Sequence, residues 1–217
     1  MLAGFDLPFD PVKTAGWIVA TVVATYAVVT RLLAWWKGRT EQKYGDPGTV
    51  KKLSTIDERI HEQLTSLRIH TKACRVVVFQ FHNGEQFFSG SPIQKMTATY
   101  EAVDGGFASV VETGRQGGMV VSNMSAVLDK MFDDTPLIHE VETMPETYSR
   151  TRLQSLNVGY FAVLPLKQYN KIIGCLKIHW MRDVPEGRDW IEDQMKVTLQ
   201  NIQTLLSERL TISGKHS

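Results

Sequence analysis

Hydrophobic positions fall into three regimes along this chain. There is an unbroken apolar block near the N-terminus, two long stripes at steps of three and four, and a period of two between the stripes. The block runs from Ala15 to Trp36. Thr14 to Thr30 carries no charge over 17 residues, roughly 26 Å of helix at about 1.5 Å per residue. Extended through Arg31-Leu-Leu-Ala-Trp-Trp36 it matches the ~30 Å hydrocarbon core of a bilayer. Arg31 has the reach to snorkel, and Trp17 at one edge with Trp35 and Trp36 at the other suits the headgroup level. The pattern predicts a single transmembrane helix over 14–36, with the membrane bilayer as its first partner.

Charge sets the expected orientation. Asp6, Asp10 and Lys13 precede the block, and Arg31, Lys37, Arg39 and Lys43 follow it with Glu41 among them. Positive charge marks the cytoplasmic side, so the N-terminus is expected outside and the rest of the chain in the cytoplasm, as a single-pass membrane protein. A cleaved signal peptide would carry basic residues first and small residues at its cleavage site. Here the first charges are acidic, and Ala34-Trp-Trp-Lys37 is a poor site. Small residues four apart in Ala20-Thr-Val-Val-Ala24 allow such helices to pack closely. The two cysteines, Cys74 and Cys175, make no CxxC pair and no secreted-type framework.

Gly45-Asp-Pro-Gly48 breaks the pattern. Beyond it, Thr49 is placed to cap a helix carrying Val50, Leu53, Ile56, Ile60, Leu64 and Leu67 on one stripe. At the far end Asp189-Trp-Ile-Glu192 has capping-box spacing, and Ile191, Met195, Leu199, Ile202, Leu206 and Leu210 follow. Both stripes predict packing on the domain's own sheet; if wide enough, they also serve a helical bundle between two copies, making the protein a homo-oligomer. Between them, Arg75–His82 and Lys95–Val103 read as strands, with Met96, Ala98, Tyr100 and Ala102 on one face of the second and Lys95, Thr97, Thr99 and Glu101 on the other. Phe107–Thr113 reads as a short helix ended by Gly114, and Met119–Ser122 as a short strand. Phe161–Leu166 and Lys171–Trp180 read as a hairpin across Lys167-Gln-Tyr-Asn170. The order describes an α+β domain on an antiparallel sheet. A net charge of +1, with no basic cluster beyond the membrane flank, gives no nucleic-acid footprint.

This arrangement resembles a GAF domain, the sensory relative of the PAS fold. The likeness rests on Val110-Val-Glu-Thr-Gly-Arg-Gln-Gly-Gly-Met-Val-Val121, on Leu153–Leu166, on Lys171-Ile-Ile-Gly-Cys-Leu-Lys-Ile178 and on the paired terminal helices. It implies an antiparallel sheet with the terminal helices on one face and a ligand on the other. The expected organisation is a leader over 1–13, the span at 14–36, a basic juxtamembrane linker over 37–48, the GAF-like domain over 49–212 and a tail over 213–217.

Strand parity indicates which side chains such a pocket would gather. Val76, Val78, Gln80 and His82 share one face of their strand, opposite Arg75, Val77, Phe79 and Phe81. Ile173, Cys175, Lys177 and His179 share one face of the last strand, and the opposite set, Leu176, Ile178 and Trp180 included, is apolar enough to lie under the helices. If the strands pair as in GAF domains, Gln80, His82, Cys175, Lys177 and His179 lie on the pocket side. His82-Asn83-Gly84 and Phe87-Phe88-Ser-Gly90 form an aromatic, glycine-containing loop where a lid belongs, so Phe81–Gly90 with Lys95 and Glu101 is expected to wall a small polar ligand. The alternative is that these polar faces simply meet water.

No catalytic residue is assigned, and an enzyme is not expected. P-loop, GxGxxG and GxSxG motifs are absent. Cys74 and Cys175 sit in apolar strands that disfavour a thiolate. No metal site is expected either, because Cys175 and His179 are roughly 13 Å apart along a strand. The expected function is a membrane-anchored sensory or binding module. Its ligand would be a nucleotide or other metabolite of identity and cofactor class unknown, and its output, with no effector segment after residue 210, would pass through association. The alternative is a structural or scaffold membrane protein, phage-encoded or holin-like, whose fold binds no ligand. A pocket filled by bulky side chains would favour that alternative.

Overall fold

The computed structural model describes residues 11–44, 46–86, 90–113, 118–132, 137–185 and 187–214. The chain divides into two units at Lys51 and Lys52. In the first, helix α1 runs Pro11–Tyr44, so the expected linker is helical through residue 44. Val19–Trp36 is long and apolar enough to cross a membrane, and none of it is covered by protein. Its threonines turn their hydroxyls back on the helix: Thr21 donates to the Trp17 carbonyl, Thr25 to Thr21 and Thr30 to Tyr26. Polar groups satisfied inside their own helix suit an apolar surrounding.

Helix α2 spans Pro47–Thr71. Its start differs from the expected Thr49 cap. Asp46 takes that role, its Oδ2 accepting from the Thr49 amide at 3.1 Å. Pro47 fills the first turn, where its missing N–H has no partner to lose.

The second unit is built on a six-stranded antiparallel sheet, with β1 (Arg75–Gln86), β2 (Pro92–Val103), β3 (Met119–Val120), β4 (Ile138–Glu140), β5 (Tyr160–Gln168) and β6 (Lys171–Trp180) in the order β3-β2-β1-β6-β5-β4. The β5–β6 hairpin closes more tightly than the sequence suggests. Lys167 and Gln168 stay in the ladder, and only Tyr169 and Asn170 turn, both at positive φ as two-residue hairpins require. Short helices α3 (Val110–Thr113), α4 (Ser125–Leu128) and α5 (Tyr148–Ser155) lie between β2 and β5, and α6 (Arg188–Gly214) closes the unit. Helix α6 begins at Arg188, directly after Gly187 at φ +87°. Asp189 therefore lies in the first turn, where a carboxylate favours the helix dipole, and is not the cap.

Helices α2 and α6 cover one face of the sheet. Ile56, Ile60, Leu64 and Leu67 of α2 join Ile191, Met195, Ile202 and Leu206 of α6 over Val76, Val78, Leu176, Ile178 and Trp180. The expected stripes thus pack on the domain's own sheet; their outer ends, Val50 and Leu210, stay exposed. The Trp180 indole donates to the Thr71 carbonyl at 2.9 Å, which satisfies its N–H inside the core. A second core occupies the other face, where Val77, Phe79, Phe161, Val163 and Cys175 meet Met124, Val127, Leu128 and Leu153.

One irregularity decides which residues face which core. Val78 pairs with Tyr100 and Phe79 with Ala98, so Thr99 is an extra residue in β2. Such a bulge shifts the alternation by one. Tyr100 and Ala102 therefore join the helix-side core while Met96 and Ala98 join the other, in place of the single apolar face expected. The parity expected for β1 is likewise corrected: Val76 and Val78 face the helices, and Arg75, Val77 and Phe79 share the opposite face with Lys177 and His179. The pairing Val77↔Lys177 and Arg75↔His179 requires this arrangement.

Candidate functional site

The face away from α2 and α6 holds a cavity of about 190 Å³. Its walls come from three central strands and from the segments that cover them. Phe79 stands on β1; Met96, Thr97 and Ala98 on β2; Val110 on α3; Gly118 and Met119 at β3; Met124 in the turn after it; Arg152, Leu153 and Leu156 on and after α5; Lys177 and His179 on β6. The lining is mostly apolar, and its ionisable side chains among the described residues are Arg152, Lys177 and His179.

Lys177 is 2% exposed. In register it stands between Val77 of β1 and Val163 of β5, and its ammonium lies 4.8 Å from the centre of the Phe79 ring. No carboxylate pairs with it among the described residues. Burial pushes its pKa down from the usual lysine value, since taking a cation out of water disfavours the charged form.

His179 is 4% exposed, and neither ring nitrogen has a hydrogen-bond partner among the described residues. Burial, followed by the nearby positive charges of Arg75 and Lys177, lowers its pKa to about 3. The imidazole is therefore neutral in the folded protein at neutral pH, while in the unfolded chain it titrates near ~6.5. As pH falls through that value the unfolded chain takes up a proton that the folded one refuses, so stability falls. His179 is expected to remove about 2 kcal/mol between pH 7 and pH 5. Urea unfolding of the full-length chain and of His179→Gln across that range checks this; the variant's profile should be flatter by that amount.

Glu101 and Arg75 lie on the same sheet face and are engaged with each other. Their side chains are 4% and 2% exposed, with Arg75 Nε donating to the Glu101 carboxylate at 2.8 Å. The carboxylate also accepts from Ser109 Oγ at 2.6 Å and from the Val110 amide at 2.9 Å. Arg75 Nη2 donates to the Ala108 carbonyl. Glu101 therefore anchors the start of α3, and its oxygens are committed to the protein.

The residues expected at the site thus separate into groups. Lys177 and His179 line the cavity. His82, Asn83 and Lys95 gather at the exposed end of the β1–β2 hairpin, where His82 pairs with Lys95 and Asn83 with Gln94. Gln80, half-buried, pairs with Thr97. His82 reaches the cavity wall indirectly, its Nε2 lying 2.8 Å from the Thr97 hydroxyl. Phe87 and Phe88 lie outside the described residues. The sequence reading missed Arg152, Leu153 and Leu156, because α5 has no apolar stripe. Its available signal was the Thr147 cap, whose side chain accepts from the Arg150 amide. Burial raises the thiol of Cys175, which joins the core on this face, to about 11, and raises that of Cys74 as well.

No protein-family profile and no curated protein matches this chain. Solved structures do. The phycoerythrobilin-bound GAF domain from a cyanobacterial phytochrome superposes with a TM-score of 0.55 at 11% identity, over 76% of this chain and 95% of that one. A GAF domain/HD domain protein from Geobacter sulfurreducens superposes with a TM-score of 0.54 at 15% identity, over 74% of this chain and 97% of that one. The second unit therefore has a GAF-like fold, α+β with its terminal helices on one face of an antiparallel sheet.

Proposed function

We propose that this chain is a membrane-anchored sensory module whose GAF-like domain holds a small ligand in the cavity beside Lys177 and His179. The observation that carries this reading is the cavity itself. A degenerate scaffold fold would fill that space with side chains; here about 190 Å³ remains open, lined by a buried lysine and a histidine with unused hydrogen-bonding capacity. An apolar cavity near 150 Å³ accommodates a benzene-sized molecule, and drug-sized ligands occupy roughly 300 Å³ or more. The fit favours a single-ring metabolite over a nucleotide. The phycoerythrobilin-bound relative shows that this fold can hold a small molecule.

The membrane part of the proposal rests on the uncovered apolar surface of Val19–Trp36 and on the inward-turned threonine hydroxyls. A bilayer suits such a helix, whose threonine hydroxyls need no partner outside it. The basic flank after it supports a cytoplasmic position for the GAF-like domain.

Native mass spectrometry tests both parts on one sample. Full-length protein expressed in bacteria is expected in the carbonate-washed membrane pellet. Gently released from detergent, it is expected to carry an additional mass of a hundred or so daltons per chain, on the order of what such a cavity holds. Protein in the soluble fraction would overturn the anchor. Only ligand-free species, from several preparations, would return the fold to a scaffolding role.

A further inference from the structure

We propose that the cavity is selective for a small organic anion, a carboxylate on an apolar body, with its negative end beside Lys177 and within reach of His179 and Arg152. This rests on the reading of the cavity as a ligand site and adds the chemistry of the ligand.

The argument is one of missing charge. Lys177 is buried between two valines, with the Phe79 ring offsetting part of the cost of burying an ammonium and an anion needed to offset the rest. The acid on its own row of the sheet is Glu101, reached across Val77. Two strand spacings separate them, roughly 10 Å, and the Glu101 oxygens are occupied by Arg75, Ser109 and the α3 amides. Cys175, two residues before Lys177, is a protonated thiol. A charged Lys177 therefore has no acid in the described lining of the cavity to balance it.

The other polar groups are placed for the same guest. His179 stands two residues along β6 with both nitrogens unpartnered, so one N–H is available to a carboxylate oxygen. Arg152 lines the cavity from α5 and is exposed to solvent, at the point where an anion would enter. The remaining walls are mostly apolar, Phe79, Met96, Ala98, Met124, Leu153 and Leu156 among them, and ask for an apolar body. A cationic ligand meets repulsion here, and a neutral amide leaves Lys177 unpaired.

Matched ligand sets separate charge from shape. Benzoate, benzamide and benzylamine share one body, as do isovalerate, isovaleramide and isoamylamine. Their binding is measured by titration calorimetry on the full-length chain in detergent. The carboxylate is expected to bind about tenfold or more tightly than its amide, and the amine not at all. In Lys177→Met the preference should collapse towards parity while the amide still binds, which also reports an intact cavity. Arg152→Gln, at an exposed position with no burden on folding, should narrow the preference several-fold. An amide that equals its carboxylate in the wild type, or a carboxylate preference that survives Lys177→Met, overturns the anion assignment while leaving the ligand site standing. If no member of either set binds, the ligand-site reading fails and the anion assignment falls with it.

Discussion

Replacing Glu101 with alanine is expected to remove about 3–5 kcal/mol of folding stability, the usual result of stripping one partner from a buried ion pair. The Arg75 side chain is 2% exposed and would be left with a charge that neither water nor another acid can meet. Its Nη1 is already without a hydrogen-bond partner among the described residues, so there is little reserve. Ser109 and the Val110 amide lose their acceptor at the same moment, which frees the start of α3 and with it Val110 of the cavity wall. Urea unfolding of the solubilised full-length chain measures the loss. Arg75→Met combined with Glu101→Ala should recover much of it, because the stranded charge then disappears. A loss below about 1 kcal/mol would show that Arg75 finds another partner.

The second large effect is expected at Gly174, where alanine should cost on the order of 3 kcal/mol or more, a magnitude confined to a few mechanisms of which forced overlap is one. A Cβ built there overlaps the Phe79 carbonyl oxygen of the neighbouring strand, which is backbone and unable to swing aside. Gly174 pairs with Gln80 on β1 and Leu166 on β5, so it sits at the centre of the sheet. Relief requires β1 and β6 to part next to Phe79 and Lys177, the two residues that form the cation–ring contact. Thermal unfolding should therefore show a lower midpoint, and the cavity should lose its ligand preference at temperatures where the variant is still folded. Gly174→Ala with wild-type stability would mean that the strands separate at this point without penalty.

Much of the fold was legible in the order of apolar residues. The helical stripes of α2 and α6, the alternating strands and the closing hairpin all rest on local periodicity, which a reader recovers from the chain alone. Lys177 and His179 were legible for a related reason: they share parity with Cys175, opposite the apolar set under the helices. What escaped was non-local. The Thr99 bulge leaves no composition signal, because it depends on how β2 is matched to β1, and it moved Tyr100 and Ala102 to the other core. Glu101 read as part of a ligand wall until its partner, 26 residues away, came into view. Helix α5 was invisible to a search for stripes, since it is short and gives the cavity a charged Arg152 beside Leu153, with Leu156 following just after its end. The caps were misplaced by three residues at Thr49, where Asp46 holds the cap, and by two at Asp189, where Gly187 precedes the helix.

The bulge at Thr99 makes strand β2 a reading frame of a kind. Upstream of it Met96 and Ala98 look towards the cavity; downstream Tyr100 looks towards the helices, where its hydroxyl donates to Asp57 of α2, whose carboxylate also accepts from Arg209 of α6. Excision of that single residue would restore plain alternation and leave Tyr100 opposite Val78, still towards the helices, and Glu101 opposite Val77, still beside Arg75. Removal of a residue downstream of the bulge would instead turn the side chains beyond it to the other face. Thr99 is thus the strand's spare count, the place where its length can change while its addresses stay the same.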